Sequence, residues 1–157
     1  MSAMQDLIRN YLAGTKTVRD AIAGMSAEQL RARPVPGKWS ALEVVCHLAD
    51  FDPIYADRMK RVIAEERPAL LGADENHFAA ALAYDRRDAE EELRIIEVTR
   101  RQMAKILATL PESALQRVGV HNERGEMTLQ KLVLGVTAHV DHHVKFVLEK
   151  RKALGLS

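Results

Sequence analysis

The apolar residues of the stretch 128–152 recur at the three- and four-residue spacing of an α-helix. The stripe consists of Leu129, Leu132, Val133, Val136, Val140, Val144 and Val147. His139 and His143 interrupt the same face four residues apart, where one helical turn places two side chains above each other. Such a pair is a bidentate clamp for a metal ion, although backbone, carboxylate or water satisfies many pairs of this kind. The stretch therefore predicts an amphipathic helix that carries a candidate metal-binding pair.

The same periodicity predicts three further long helices. The first covers residues 4–25, the second begins at or just after Trp39, and the third runs from about residue 85 to 109. His47 lies on the apolar face of the second helix, and Pro53 should kink this helix just after the histidine. The charged outer face of the third helix is expected to be solvated: Glu90, Glu91, Glu92, Arg94, Arg100 and Arg101. Four long amphipathic helices predict an all-α protein with a four-helix bundle.

The connections between these helices carry short elements of their own. Ser26 and Ser40 each begin a capping-box pattern, which predicts a short helical turn after the first and the long second helix after the other. A further short helix is expected around residues 77–83, and residues 117–126 read as a hairpin-like excursion before Thr128 caps the final helix. None of these connections resembles a linker between domains. Residues 1–157 are therefore expected to form one domain.

Composition and charge exclude several classes of function. The chain has 23 basic and 22 acidic residues, a formal net charge of +1, and no single-sign block of the kind that binds nucleic acid. Cys46 is the only cysteine, which fits a reducing, cytoplasmic setting. No apolar run approaches the roughly 20 residues that span a membrane, and Asp6 and Arg9 argue against an N-terminal signal peptide. We expect a cytoplasmic protein with neither nucleic-acid nor membrane partners.

Three histidines on apolar helical faces suggest one metal ion. A buried neutral imidazole needs a partner for each ring nitrogen, and a single divalent ion would account for His47, His139 and His143 together. Three histidine ligands leave a coordination position open, as in catalytic rather than structural sites. Zinc and nickel are the divalent ions expected with imidazole ligands.

The remaining candidates are open to two interpretations each. Asp50 could orient His47 or lie on the surface, Arg58 could meet an anionic substrate or be exposed or ion-paired, and Trp39 could cover the bundle end or stack on a substrate. The other polar and reactive residues are expected to have ordinary roles. These are Glu43 in its capping box, His77, His121 and His142 in solvent, Asp141 off the apolar stripe, and Cys46 in the core.

The chain resembles the DinB/YfiT-like superfamily over about residues 6–148. The motifs that carry the resemblance are Trp39-Ser40 with Glu43-Val44 and His47-Leu48-Ala49, and the closing His139-x-x-x-His143 pair. The resemblance implies a four-helix bundle that runs up, down, down and up, a homodimer, and one metal held by His47, His139 and His143. One position departs from the family pattern, because Phe146 stands where a glutamine is frequent.

Two functions follow from this resemblance. The first is a metal-dependent enzyme that acts on a small-molecule substrate with a low-molecular-weight thiol or with activated water, hence an S-transferase or a hydrolase. The ion would lower the pKa of the bound thiol or water and so generate the nucleophile near neutral pH. The second is a non-catalytic metal- or ligand-binding stress-response protein. For the homodimer, Val98 and Leu134 are candidate interface residues because they lie off the apolar stripes.

Overall fold

The computed structural model, which describes residues 1–157, confirms the predicted four-helix bundle. Its long helices are α1 (Ala3–Ile22), α3 (Ala41–Ala64), α5 (Ala89–Leu107) and α6 (Leu129–Ala153). The connections contain the short helices α2 (Ala27–Arg31) and α4 (Glu75–Ala81) and two 3₁₀ turns, Tyr84–Arg86 and Glu112–Gln116. No helix combines the length and the hydrophobicity that crossing a membrane requires.

The four long helices run up, down, down and up. The adjacent pairs are α1 with α6, α6 with α3, α3 with α5, and α5 with α1, so α1 and α3 lie on one diagonal. The contacts that fix the directions are Arg19–Glu90 between α1 and α5, Ala21–Arg151 between α1 and α6, and Asp50–Arg87 with Lys60–Gln102 along α3 and α5. Because α3 and α5 are parallel, the chain between them returns along the whole bundle, which explains its length.

The helix starts are set by side-chain caps. Ser2 and Ser26 form complete capping boxes with Gln5 and Gln29, and Thr128 caps α6 as predicted. Ser40 also caps α3 through the backbone N–H of Glu43. The predicted second half of that capping box is wrong, because the Glu43 carboxylate instead accepts two hydrogen bonds from Arg33.

Two predicted boundaries also move. α1 ends at Ile22, short of Met25, because Gly24 takes a left-handed conformation with φ +76°. α5 begins at Ala89, later than predicted, because the Asp88 side chain caps it. α3 continues through Pro53, so the proline lies inside this helix as predicted, and the kink stays a prediction.

A small sheet completes the predicted hairpin. Strands β2 (Val118–His121) and β3 (Gly125–Thr128) pair antiparallel, and β1 (Ala69–Leu70) adds to β2 in parallel. Gly119 of β2 packs against Leu70 and Val62, where an added Cβ would meet their side chains within 3.0 Å. The sheet therefore closes one end of the bundle and ties the α3–α5 connection to the start of α6.

A buried ion pair lies in the middle of the bundle. Arg100 of α5 donates two hydrogen bonds to Asp52 of α3, at 2.8 and 2.9 Å, and both side chains are 0 % exposed. Its remaining N–H groups donate to the carbonyls of Tyr11 and Val136, so all four long helices meet at this guanidinium. The prediction that Arg100 belongs to a solvated face is wrong.

Glu92 is the second error on that face of α5. Its side chain is buried and binds Arg87, which also binds Asp50 of α3. Both errors have one physical cause. A charged side chain is buried where the fold brings an opposite charge to it, Asp52 of α3 for Arg100 and Arg87, held by Asp50 of α3, for Glu92, and the pattern of α5 alone does not contain these contacts.

Gly14 of α1 supplies the space for the Arg100 side chain. A Cβ added at this position would overlap the guanidinium group, which its partners hold in place. We expect Gly14→Ala to lower the free energy of unfolding by a net of about 1–3 kcal/mol, the usual cost of overpacking, although Ala is the better helix former. Urea denaturation followed by circular dichroism measures this change.

Gly135 of α6 is the matched control within a helix. A Cβ there would lie 3.7 Å from the Tyr55 ring, which is an ordinary contact. Gly135→Ala should leave the free energy of unfolding unchanged or raise it by up to about 1 kcal/mol. Equal destabilisation by the two substitutions would show that the space beside Arg100 is not the reason for Gly14.

Candidate metal centre

The structure brings the three predicted histidines to one point. The Nε2 atom of His47 lies 2.9 Å from Nε2 of His139 and 3.1 Å from Nε2 of His143. The antiparallel packing of α3 against α6 places His47 opposite the two histidines, which lie on successive turns of α6. These three side chains form the only cluster of histidine, cysteine or carboxylate groups in the structure with ligand atoms this close together.

Burial keeps the three imidazoles neutral. It lowers the pKa of His47 to about 3, with a smaller contribution from the neighbouring charge of His143. Burial likewise lowers the pKa of His139 to about 3 and that of His143 to about 4, helped by the histidines beside each. Neutral imidazole is the form that binds metals, so the electrostatics of the site favour ligation over protonation.

The donor set fits a metal ion. No protein group hydrogen-bonds to the buried Nδ1 atoms, and the three Nε2 atoms face one another. With the proton of each ring on Nδ1, three lone pairs point at a common centre, where a cation would stabilise all three at once. Two imidazole nitrogens bound to one tetrahedral zinc lie about 3.3 Å apart, close to the separations found here. That the histidines are ligands stays a prediction.

Aromatic rings surround the cluster. The ring centroids of Trp39 and Phe51 lie 5.4 and 4.5 Å from that of His47, and Tyr55 lies 5.9 Å from His139. The Phe146 ring lies 5.7 Å from that of His143 and contributes an apolar wall to the site. These rings lower the local dielectric and leave access to the histidines from one side.

Glu75 approaches the cluster from α4. Its Oε2 atom lies 3.5 Å from Nε2 of His47, and about half of its side chain is exposed. Glu75 is not among the residues that the sequence indicated, because it lies in a connection and meets His47 only through the packing of α4 on α3. Its nearness to His47 and its exposure to solvent are those of a group that could exchange protons at the site.

A cavity of about 210 Å³ opens beside the His143 side of the cluster. Its lining includes Lys38, Trp39, Glu75, His143, Phe146 and Lys150. A larger hollow of about 400 Å³ at the ends of α1, α2 and α5 contains none of the three histidines. The smaller cavity is therefore the candidate binding site for a substrate.

The structure shows the surroundings of the residues for which the sequence allowed two roles. Asp50 binds Arg87 at 2.6 and 3.0 Å and does not contact His47, so it does not orient the histidine. Trp39 packs beside His47 at the end of the bundle and lines the cavity, which is compatible with both of its proposed roles. Cys46 is buried in the core as predicted, and burial raises the pKa of its thiol to about 12.

Arg58 and His121 differ from their predicted surroundings. Arg58 is buried and donates to the carbonyl of Leu71, so it is neither exposed nor ion-paired. His121 is also buried, and its Nδ1 accepts hydrogen bonds from the backbone N–H groups of Glu123 and Arg124 in the β2–β3 turn. Both residues hold the small sheet and its connections in place, away from the histidine cluster. His77, Asp141 and His142 are exposed as predicted.

Comparisons with known proteins identify related chains. The model of the DinB superfamily matches residues 11–147. A protein of Geobacillus thermodenitrificans named "Putative metal-dependent hydrolase" is 29 % identical over 153 residues, covering 94 % of this chain and 86 % of the relative. YfiT of Bacillus subtilis, which carries the same description, is 26 % identical over 141 residues, covering 89 % and 79 %.

A solved structure has the same fold. The structure of YfiT from Bacillus subtilis, described as a probable metal-dependent hydrolase with an unusual four-helix bundle topology, matches with a TM-score of 0.91. The match covers 100 % of this chain and 91 % of the other at 23 % identity. The bundle topology derived from the helix contacts is therefore shared with an independently solved protein.

Proposed function

Because the chain belongs to the DinB superfamily, we propose that it is a metal-dependent enzyme, a hydrolase or a thiol S-transferase, with one divalent ion on His47, His139 and His143. Zinc or nickel is the ion that three imidazoles favour. The observation that carries the proposal is the convergence of three neutral imidazoles beside a cavity. The names of the relatives in the comparison support the hydrolase class.

Each group of the site has a distinct role in the proposed reaction. A bound divalent ion supplies a Lewis acid that lowers the pKa of water or of a thiol. Three neutral imidazoles add no negative charge, so they leave the full charge of the ion to act on a substrate. Glu75 is placed to accept and return a proton next to His47. Trp39 and Phe146 shield one side of the site from bulk water and bind the apolar part of a substrate.

The thiol version makes a further demand on the site. A thiolate must attack an electrophilic carbon while a leaving group departs, so two small molecules must meet at the histidine cluster. The hydrolase version needs only one substrate and water. The cavity is small for two ligands, since about 210 Å³ lies below the usual size of a pocket that encloses a small molecule. We therefore expect any thiol to approach from the solvent side, over the exposed Glu75.

Cobalt-substituted protein tests whether a metal on the histidines accepts an outside ligand. The visible spectrum of Co²⁺ reports coordination number and thiolate ligation, so small thiols or anions should change it in the wild type and in His142→Ala. The change should be absent in His47→Ala. A spectrum that no thiol or anion alters would indicate a closed site, and the non-catalytic binding protein would then be the better description.

Turnover is the second part of the test. The metal-loaded protein should hydrolyse activated esters, or transfer a thiol to 1-chloro-2,4-dinitrobenzene with release of chloride. Glu75→Gln should keep its metal content and lose about 10²- to 10⁴-fold in rate, the usual contribution of a positioned base. Glu28→Gln is the matched control, because Glu28 is an exposed glutamate in the first turn of the short helix α2. Equal rates in all three proteins would remove Glu75 from the reaction.

A further inference from the structure

Lys150 is a largely buried lysine whose ammonium group, in the lining of the cavity, has no protein partner. Its side chain is 2 % exposed and makes no ion pair or hydrogen bond, in contrast to the other fully buried cation, Arg100. Glu43, a buried carboxylate near this end of the bundle, is bound by Arg33. The Lys150 Nζ atom lies over the Phe146 ring, 5.9 Å from its centroid.

An unpaired charge on a largely buried side chain is unfavourable for folding. Burial lowers the pKa of Lys150, because the ammonium group loses part of its hydration at this position. A methionine or leucine would fill the same position, which continues the apolar stripe of α6, without that loss. A charge kept at such a position needs a reason other than stability, and ligand binding is the usual one.

Lys150 lies in the cavity beside the histidine cluster. It follows His143 by seven residues, so about two helical turns separate their backbones, and both side chains line the cavity. Helical side chains lean toward the N-terminus of their helix, which directs the ammonium group past Phe146 toward His143. Glu75 is the only acidic residue in the lining, and it lies against His47.

We propose that Lys150 binds a carboxylate group of a small substrate whose reacting part lies at the histidine cluster. The proposal rests on the proposed function, because it places the substrate of that same site. Trp39 and Phe146 provide aromatic walls for a flat apolar body between the two ends. Lys38 adds a second, exposed positive charge to the rim. The substrate class is thus a small carboxylic acid with a short, flat apolar body.

Trp39 makes the proposal directly measurable, because it is the only tryptophan of the chain and it lines the cavity. Benzoate should change its fluorescence in a saturable way, and benzamide, which has the same shape without the charge, should bind more weakly. Lys150→Met should bind benzoate about 10- to 100-fold more weakly than the wild type and benzamide equally well. Lys150→Arg should retain most of the benzoate affinity, because it keeps the positive charge.

Lys145→Met is the matched control, since Lys145 is an exposed lysine on the same helix. It should bind benzoate as the wild type does. Lys150→Met should also unfold at a urea concentration at or above that of the wild type, which separates lost binding from lost structure. Equal benzoate affinity in the wild type and Lys150→Met, no saturable benzoate binding to the wild type, or a larger loss in Lys38→Met would overturn the proposal.

Titrations with metal-loaded and metal-free protein separate this proposal from the proposed function. A carboxylate held by Lys150 binds both forms and is sensitive to Lys150→Met in both. A carboxylate held by the metal ion binds only the loaded form and is insensitive to Lys150→Met, which would overturn the proposal and leave the metal site intact. Benzoate binding that depends on Lys150 in a protein that takes up no metal would instead refute the proposed function alone.

Discussion

His139→Ala is expected to reduce the metal content of the purified, tag-free protein from about one equivalent to less than about a tenth. Three protein ligands are the minimum of most catalytic zinc sites, and His139 contributes the Nε2 atom that lies 2.9 Å from that of His47. The remaining two imidazoles cannot hold the ion through dialysis, because affinity falls steeply with each lost ligand. Elemental analysis by mass spectrometry measures the ratio of metal to protein.

His142→Ala is the control for this result. His142 is exposed on α6 between the two clustered histidines, so its removal changes the local histidine content but not the cluster. The variant should therefore keep its equivalent of metal. Equal metal in the wild type and in the double variant His139→Ala/His143→Ala would show that the ion binds elsewhere, and the proposed function would fail with it.

Asp52→Ala is expected to lower the free energy of unfolding by about 3–5 kcal/mol. The substitution leaves the guanidinium group of Arg100 buried among four helices without its counter-charge, and removing one partner of a buried ion pair has a cost of this size. A loss of this order is a large part of the stability of an ordinary domain, so the variant should unfold at a much lower urea concentration.

Asp57→Ala provides the comparison on the same helix. Asp57 pairs with Arg61 at 2.8 Å, but both side chains are about half exposed, and such surface pairs contribute up to about 1 kcal/mol. The double variant Asp52→Val/Arg100→Met should recover most of the stability lost in Asp52→Ala, since an apolar pair replaces a charged one without leaving a charge behind. Equal losses in Asp52→Ala and Asp57→Ala would contradict the central role of the buried pair.

The helices and the histidine cluster could be predicted because their signals are local or repeated. Apolar spacing defines each long helix, and His47, His139 and His143 each occupy a position on an apolar face. The burial of charged residues on α5 could not be predicted in the same way. Arg100 is exposed or buried depending on whether another helix offers a carboxylate, and Asp52 is 48 residues away.

Glu75 and Lys150 were not predicted as site residues, and the reasons differ. Glu75 comes near His47 only because α4 folds back over α3, and no spacing rule reports that contact. Lys150 did leave a signal, since it lies three residues after Val147 on the buried face of α6. A lysine in register with an apolar stripe marks a buried charge, and extending the stripe by one turn would have revealed it.

The diagonal placement of successive helices has a consequence for how the protein is made. Helices α1 and α3 are not neighbours, so they cannot form a stable hairpin as they emerge from the ribosome. His47 meets His139 and His143 across 92 and 96 residues, and α6 is synthesised after the other three long helices. Until α6 arrives, α1 and α3 expose the apolar faces that it later covers. During synthesis the nascent chain is therefore open to aggregation and to chaperones, and its histidine cluster is completed only when α6 docks.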